Sequence, residues 1–233
     1  DLLHEHERLH IAPLNKAYEF IKLLSKYAPT YCLVGNHDMI NNQQFLNDNH
    51  WLGAMKQWNN VYIVDTICNC LINNQLFIFC PYVPNGRFVE ALNTYEDWTK
   101  ADIIFAHQEF AGCKMGAIES LDGDTWNDNY PPVISGHIHA NQKLPNVYYP
   151  GSAMQNAYGD PNNIIAIIMD KKDDNDIIYG NYSIKEIDLG LRKKRIIYQD
   201  IDTIDSFVVP DTRDDIKLTI NGTFSEFKIF KAS

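Results

Sequence analysis

The sequence predicts a layered α/β fold, on three observations. Helical and strand periodicities alternate through the first half of the chain. Strands dominate the second half. Polar residues gather just after apolar runs end: Asn36, His37 and Asp38, then His107, then His137 and His139. The first two observations describe sheets covered by helices. The third matters because ligands in α/β folds bind where loops leave the C-terminal ends of strands.

The elements follow in order. PLNKAYEFIKLLSKYAP sets Leu14, Ala17, Tyr18, Ile21 and Leu24 on one helical stripe, with Pro13 near its start and Pro29 beyond its end. TYCLVG (30–35) is a short apolar strand, and a second helix is expected over 43–58. VYIVDTICNCLI (61–72) and QLFIFCPYV (75–83) read as strands joined by a turn at Asn73-Asn74. FVEALNTYEDWTK (88–100) reads as a helix and DIIFAH (102–107) as a strand. PPVISGHIH (131–139), NVYYPGS (146–152) and NNIIAIIMD (162–170) are further strands, and KKDDND (171–176) is expected to turn between two strands. From about residue 200 the pattern is strand-like again, with DIKLTING (215–222) its clearest piece.

With 233 residues, the chain suits one domain or one domain with a small appendage. No apolar run approaches the roughly 18–20 residues of a membrane span, and DLLHEHERLH lacks signal-peptide character. The cysteines (32, 68, 70, 80 and 113) form no C-x-x-C pair, which predicts reduced thiols in an intracellular protein. The expected location is the cytoplasm, or the nucleus or another host-cell interior for a viral protein. A net charge of −10 argues against a nucleic-acid binder working by bulk charge. It does not exclude an enzyme whose metal ions supply the local positive charge. LRKKR (191–195), the one basic run, reads first as a solvated strand or loop.

Four of the eight histidines lie in polar loops at strand ends: His37, His107, His137 and His139. In SGHIHAN two imidazoles stand two residues apart, so on an extended segment they share a face. Imidazole, carboxylate and amide oxygen together suit Mn²⁺, Fe or Zn²⁺ rather than a thiolate site. His6, His10 and His50 read as solvated or structural. Phe110, Trp126 and Tyr158 could stack on nucleic-acid bases, but packing in the core or at its rim is the ordinary reading.

The ordered set GNHD, strand-His and GH-x-H resembles the calcineurin-like metallophosphoesterases, whose signature runs D-x-H, G-D, G-N-H-D/E, H, G-H-x-H. The resemblance covers residues 1 to about 170. DLLHEHERLH, NVYYPGSAMQNAYGD and the tail with DDIKLTI are similar to the SbcD-type recombination nuclease subunit. HQEFAGCKMGAI is similar to stretches in viral and phage members. The family's D-x-H motif is absent from these residues, and upstream residues carrying it are expected.

The resemblance implies a sandwich of two mixed β-sheets flanked by helices over 1–198, with a strand-rich cap or extension over 199–233. It implies that Asp1, Asn36, His107 and His137 ligate one divalent cation, with Asp1 bridging to a second held in part by His139. Mn²⁺ is the foremost candidate, with Fe²⁺, Zn²⁺, Mg²⁺ and Ni²⁺ as others. His37 matches a histidine beside the scissile phosphate, Asp38 would hold its imidazole by a hydrogen bond, and His4 matches a second phosphate-proximal histidine. The implied activity is metal-dependent phosphodiester hydrolysis, with DNA as substrate, an SbcC-like ATPase as partner and a homodimer allowed. The alternatives are a phosphoesterase for monoesters, cyclic nucleotides or phosphoproteins, and a catalytically impaired scaffold or virion protein.

Overall fold

In the computed structural model, which describes residues 1–6, 8–160, 164–169, 177–179 and 181–230, the first helix is α1 (Ile11–Leu24). It buries Ala17 and Ile21, and Tyr18 lies with its ring tilted against Trp51 and Trp58. Leu24, at the end of the expected stripe, is 40% exposed, so α1 covers its sheet with a narrower face than the sequence suggests. Strand β1 (Thr30–Leu33) pairs in parallel with β2 (Val61–Val64).

The helix expected over 43–58 does not form. Its place holds a loop and a short 3-10 helix, Trp51–Met55. The side-chain oxygen of Asn41 accepts from the Gln43 N–H, and that of Asn47 from the Asn49 N–H, both at 2.9 Å. Such local bonds give the backbone an alternative to the helical ladder. The run 61–72 is also two strands rather than one. The chain breaks at Asp65, whose carboxylate is held by Lys56 and His50, and β3 (Cys68–Ile72) joins a different sheet.

Strands β3 and β4 (Gln75–Cys80) form the expected hairpin, with Asn73 and Asn74 at φ 50° and 64°. Positive φ at both turn residues matches the right-handed twist of the strands, and Asn tolerates it. Helix α2 (Phe88–Leu92) is shorter than the 88–100 segment, of which Trp98–Lys100 form a separate 3-10 turn. Thr94 donates its hydroxyl to the Ala91 carbonyl, and Asn93 accepts from the Trp98 indole N–H, which closes the helix off.

The remaining strands are β5 (Ile103–Ala106), the small hairpin β6 (Lys114–Met115) and β7 (Ile118–Glu119), β8 (Val133–Ser135), β9 (Gln142–Leu144) and β10 (Val147–Tyr149). The main sheet has the order β3-β4-β5-β8-β10-β9. Its four central strands β4, β5, β8 and β10 are parallel and its edge strands antiparallel. Strands β11 (Ile165–Met169), β12 (Ile177–Tyr179) and β13 (Tyr182–Ile187) make an antiparallel sheet in the order β11-β13-β12. The KKDDND segment lies outside the described residues. Strands β14 (Lys194–Asp200) and β15 (Asp215–Asn221) pair in parallel over their whole length and α3 (Phe224–Phe230) follows, so this pair straddles residues 198 and 199.

The fold is thus α/β, with mixed sheets flanked by few helices. One face of the main sheet packs Ile78, Ile104, Val133 and Tyr149 on Phe88, Leu92 and Trp98. The other sets Ile103, Ile134 and Tyr148 against Tyr179, Tyr182 and Ile184 of the three-stranded sheet. A third cluster joins α1 to β1 and β2 through Ile21, Val34, Leu52, Met55 and Val61. Phe110 is buried and Trp126 packs against the main core, which is the packing role; Tyr158 is exposed. No helix among the described residues is long and apolar enough to cross a membrane, and the five cysteines are free thiols.

What this topology does for function is to gather strand ends. The parallel strands β5 and β8 deliver His107 and the Gly136-His137 loop to the same edge. Strand β1 arrives beside them, because the Val34 carbonyl accepts from the Tyr82 N–H just past β4, at 2.8 Å.

Candidate metal centre

Four of the five anticipated ligands converge. Asp1 Oδ2 lies 3.1 Å from His107 Nε2. Asn36 Oδ1 lies 3.3 Å from His107 Nε2 and 3.0 Å from His137 Nδ1. Donor atoms of Asp1, His107 and His137 all fall within 4.8 Å of one another. The fifth, His139, is exposed and lines the same cavity, of about 360 Å³, as Asp1, His37 and His137.

Local backbone geometry places each group. Residues Asn36–Asp38 form a 3-10 turn immediately after β1, which turns Asn36 inward and sets the His37 N–H on Asp1 Oδ1 at 3.0 Å. Gly35 is required there, since a Cβ at that position would stand 2.0 Å from Asp1 Oδ1. His137 adopts φ 74°, a left-handed backbone uncommon for a non-glycine residue and the sort of strain that collects at functional sites. Behind the loop, the Tyr149 hydroxyl accepts from the Phe110 N–H and donates to the Gln108 carbonyl. The Gln108 N–H in turn donates to the Ser135 hydroxyl. These bonds tie the ends of β5, β8 and β10 together.

The donor set fits a divalent cation. A carboxylate oxygen, an amide oxygen and two imidazole nitrogens face one point, and a single imidazole proton on His107 cannot satisfy both oxygens beside it. One cation can satisfy all four. Burial holds the His107 imidazole well below its usual pKa and lowers that of His137, so both are neutral at pH 7, the form a metal ligand needs.

The remaining anticipated residues lie close by. His37 donates from Nδ1 to the His4 carbonyl at 2.6 Å, and its ring stacks between those of His4 and His6, with centroids 5.1 and 4.9 Å away. Burial lowers its pKa, with the neighbouring histidines adding to the effect. Asp38 does not bond to the His37 ring. Its carboxylate accepts from the Gly35 N–H (3.0 Å), the Trp51 indole N–H (2.9 Å) and the Leu2 N–H (3.2 Å), because the 3-10 turn directs it inward, under the loop. His50 is structural, bonded to Asp65 at 3.0 Å, and the ring of His6 faces the Met39 carbonyl.

Two residues escape sequence reasoning. Lys114 brings a cation to the cavity lining. Glu109 places Oε2 3.8 Å from His137 Nε2. Its signal in the sequence is the spacing His107-x-Glu109, which puts both side chains on one side of an extended segment.

No protein-family model matches the chain. It is 47% identical over 239 aligned positions to "Putative phosphoesterase 244L" of Invertebrate iridescent virus 6, an alignment spanning 99% of this chain and 83% of that protein. It is 44% identical over 241 positions to "Putative phosphoesterase 078R" of Invertebrate iridescent virus 3, across 99% of this chain and 67% of that protein. Identity at this level over nearly the whole chain, together with the clustered site, means that this protein belongs to the family of these iridescent-virus phosphoesterases.

Proposed function

We propose that the chain is a metal-dependent phosphodiesterase of the calcineurin-like type, acting on DNA as an SbcD-type nuclease does. The observation that carries this reading is the meeting of Asp1, Asn36, His107 and His137, from four separate segments, at the wall of a cavity that Asp1 and His137 line together with His37. The phosphoesterase names of the viral relatives support it. Two divalent cations, Mn²⁺ first among them, would supply positive charge to the phosphate oxygens and acidify the attacking water. Asp1, Asn36, His107 and His137 would hold one, and Asp1 and His139 would contribute to the second.

The chain's own residues do the rest. His37 is neutral in the free protein and commits its Nδ1 proton to the His4 carbonyl, leaving Nε2 for substrate. A phosphate anion in the cavity raises the imidazole pKa, so that Nε2 can carry a proton to the leaving oxygen. Lys114 adds charge at the rim. With a net charge of −10, the chain needs a partner for tight DNA binding, and an ATPase subunit of SbcC type suits that need.

The test is a side-by-side assay with Mn²⁺ on linear duplex DNA, single-stranded DNA, bis-p-nitrophenyl phosphate, p-nitrophenyl phosphate and a phosphopeptide. Cleavage of DNA, with the diester turned over faster than the monoester, is expected. Monoester or phosphopeptide turnover with both DNAs intact would overturn the nuclease assignment and leave the phosphoesterase one.

A further inference from the structure

We propose that Tyr158, Lys194 and Lys217 form a stacking platform for single-stranded nucleic acid beside the metal cavity. This rests on the nuclease reading above. Of the three aromatic residues that the sequence offers for stacking, Phe110 and Trp126 are taken by the core and Tyr158 is exposed. The ammonium groups of Lys194 and Lys217 each lie 6.0 Å from the centre of the Tyr158 ring. That is the outer limit of a cation–π attraction, so the ring uses up neither charge. Within the LRKKR run, Arg192 pairs with Asp215, Lys193 with Asp188 and Arg195 with Asp214. Lys194 is left over, and among the described residues no carboxylate lies in ion-pair range of it or of Lys217. Two like charges at one ring repel each other unless an anion joins them, and a backbone phosphate is such an anion.

The fold builds this arrangement from two sides. Ile196 on β14 is the register partner of Lys217 on β15, and Lys194 lies two residues before Ile196, so both lysines project from one face of the strand pair. Tyr158 comes from the loop after β10. There Asp160 Oδ2 accepts from the Asn156 and Ala157 N–H groups, both at 2.8 Å, and Gly159 takes φ 95° to close the turn. Gln155 fastens the loop to β14: its Nε2 donates to the Asp160 carbonyl at 2.7 Å, and its Oε1 accepts from the Lys194 N–H at 2.6 Å. Lys194 Nζ donates to the Asn156 carbonyl at 2.7 Å and keeps its other protons for a ligand. Gly159 and Asp160 line the metal cavity together with His137 and His139, so Tyr158 stands one residue from the cavity wall. A strand with one phosphate in the cavity can lay a nearby base on the ring and another phosphate between the lysines. A duplex cannot, because its bases are already stacked on one another.

The test is fluorescence anisotropy of labelled oligothymidine with the protein at low salt and without added metal, so that nothing is cleaved. Tyr158→Ala should weaken binding about tenfold or more, and Tyr158→Phe, which keeps the ring, should bind as the parent does. Binding of a duplex of the same length should not respond to Tyr158→Ala. In plots of log affinity against log salt, the Lys194→Gln/Lys217→Gln double variant should lose about 1.4 of the slope, the share of two phosphate contacts on a single strand. Lys16→Gln, whose ammonium is paired with Glu19, is the charge control and should keep the parent slope. Parent-like affinity for oligothymidine in Tyr158→Ala, an equal loss on duplex, or no oligothymidine binding by the parent would overturn the proposal. The nuclease reading fails separately: these same binding responses with no cleavage of either DNA in Mn²⁺ would remove the nuclease and leave the platform standing.

Discussion

Asn36 and His37 are neighbours with different tasks, because the 3-10 turn after β1 sends one inward and the other to the cavity wall. Asn36→Ala should therefore lower bound Mn²⁺, measured by elemental analysis after gel filtration. His37→Ala should keep its metal and lose about 10²-fold or more in turnover, the range for removal of a positioned acid or base. Equal metal loss in both variants would contradict the division. The sequence made these two residues legible, since three polar side chains after an apolar run do not build a core. Glu109 was legible only as the spacing His107-x-Glu109, which acquires meaning once His137 is folded against it. The role expected of Asp38 failed for a related reason. Adjacency in sequence suggested a contact with His37, whereas the tight turn points Asp38 at the Gly35 and Trp51 N–H groups.

At the scale of elements, the loop after β1 depends on a missing side chain. Gly35→Ala puts a methyl group 2.0 Å from Asp1 Oδ1, so it should displace the carboxylate and weaken Mn²⁺ binding in a calorimetric titration. Unchanged affinity would mean that Asp1 is not held there. Asp65 performs a structural task between two elements, joining the end of β2 to His50 and Lys56. Asp65→Ala leaves the buried His50 ring without its partner and should cost about 1–3 kcal/mol. Burial pushes the Asp65 pKa up, but hydrogen bonds from Lys56 and His50 outweigh it and hold the carboxyl below its usual 3.8. A depressed carboxylate contributes stability that is fully present above the unfolded pKa and lost as pH falls through the folded one. The gap between parent and Asp65→Ala in urea midpoints should accordingly be constant near neutrality and narrow below pH 3.8. A gap that widened in acid would refute the ion pair. The strands around these sites were readable from apolar runs and the Asn-Asn turn. The 43–58 helix was misjudged because its Asn side chains bond to their own backbone, a competition that hydrophobic spacing does not register.

For the whole molecule, sheet topology turns scattered motifs into a site. Parallel strands bring His107 and His137 to one edge, and β1 joins them there. The order of motifs along the chain hinted at this, but only the pairing shows that residues 1, 36, 107 and 137 share one point. The acidic charge has a consequence as well. Any DNA affinity must come from local contacts with backbone phosphates, so binding measured by fluorescence anisotropy should weaken steeply between 50 and about 200 mM salt. Salt-independent binding would argue against a phosphate-reading surface.

The central claim is that four residues hold a divalent cation, and anomalous diffraction from crystals grown with Mn²⁺ addresses it most directly. One peak should lie within about 2.0–2.3 Å of donor atoms of Asp1, Asn36, His107 and His137. A map with no peak at that point, or with Mn²⁺ bound only elsewhere on the surface, would contradict it.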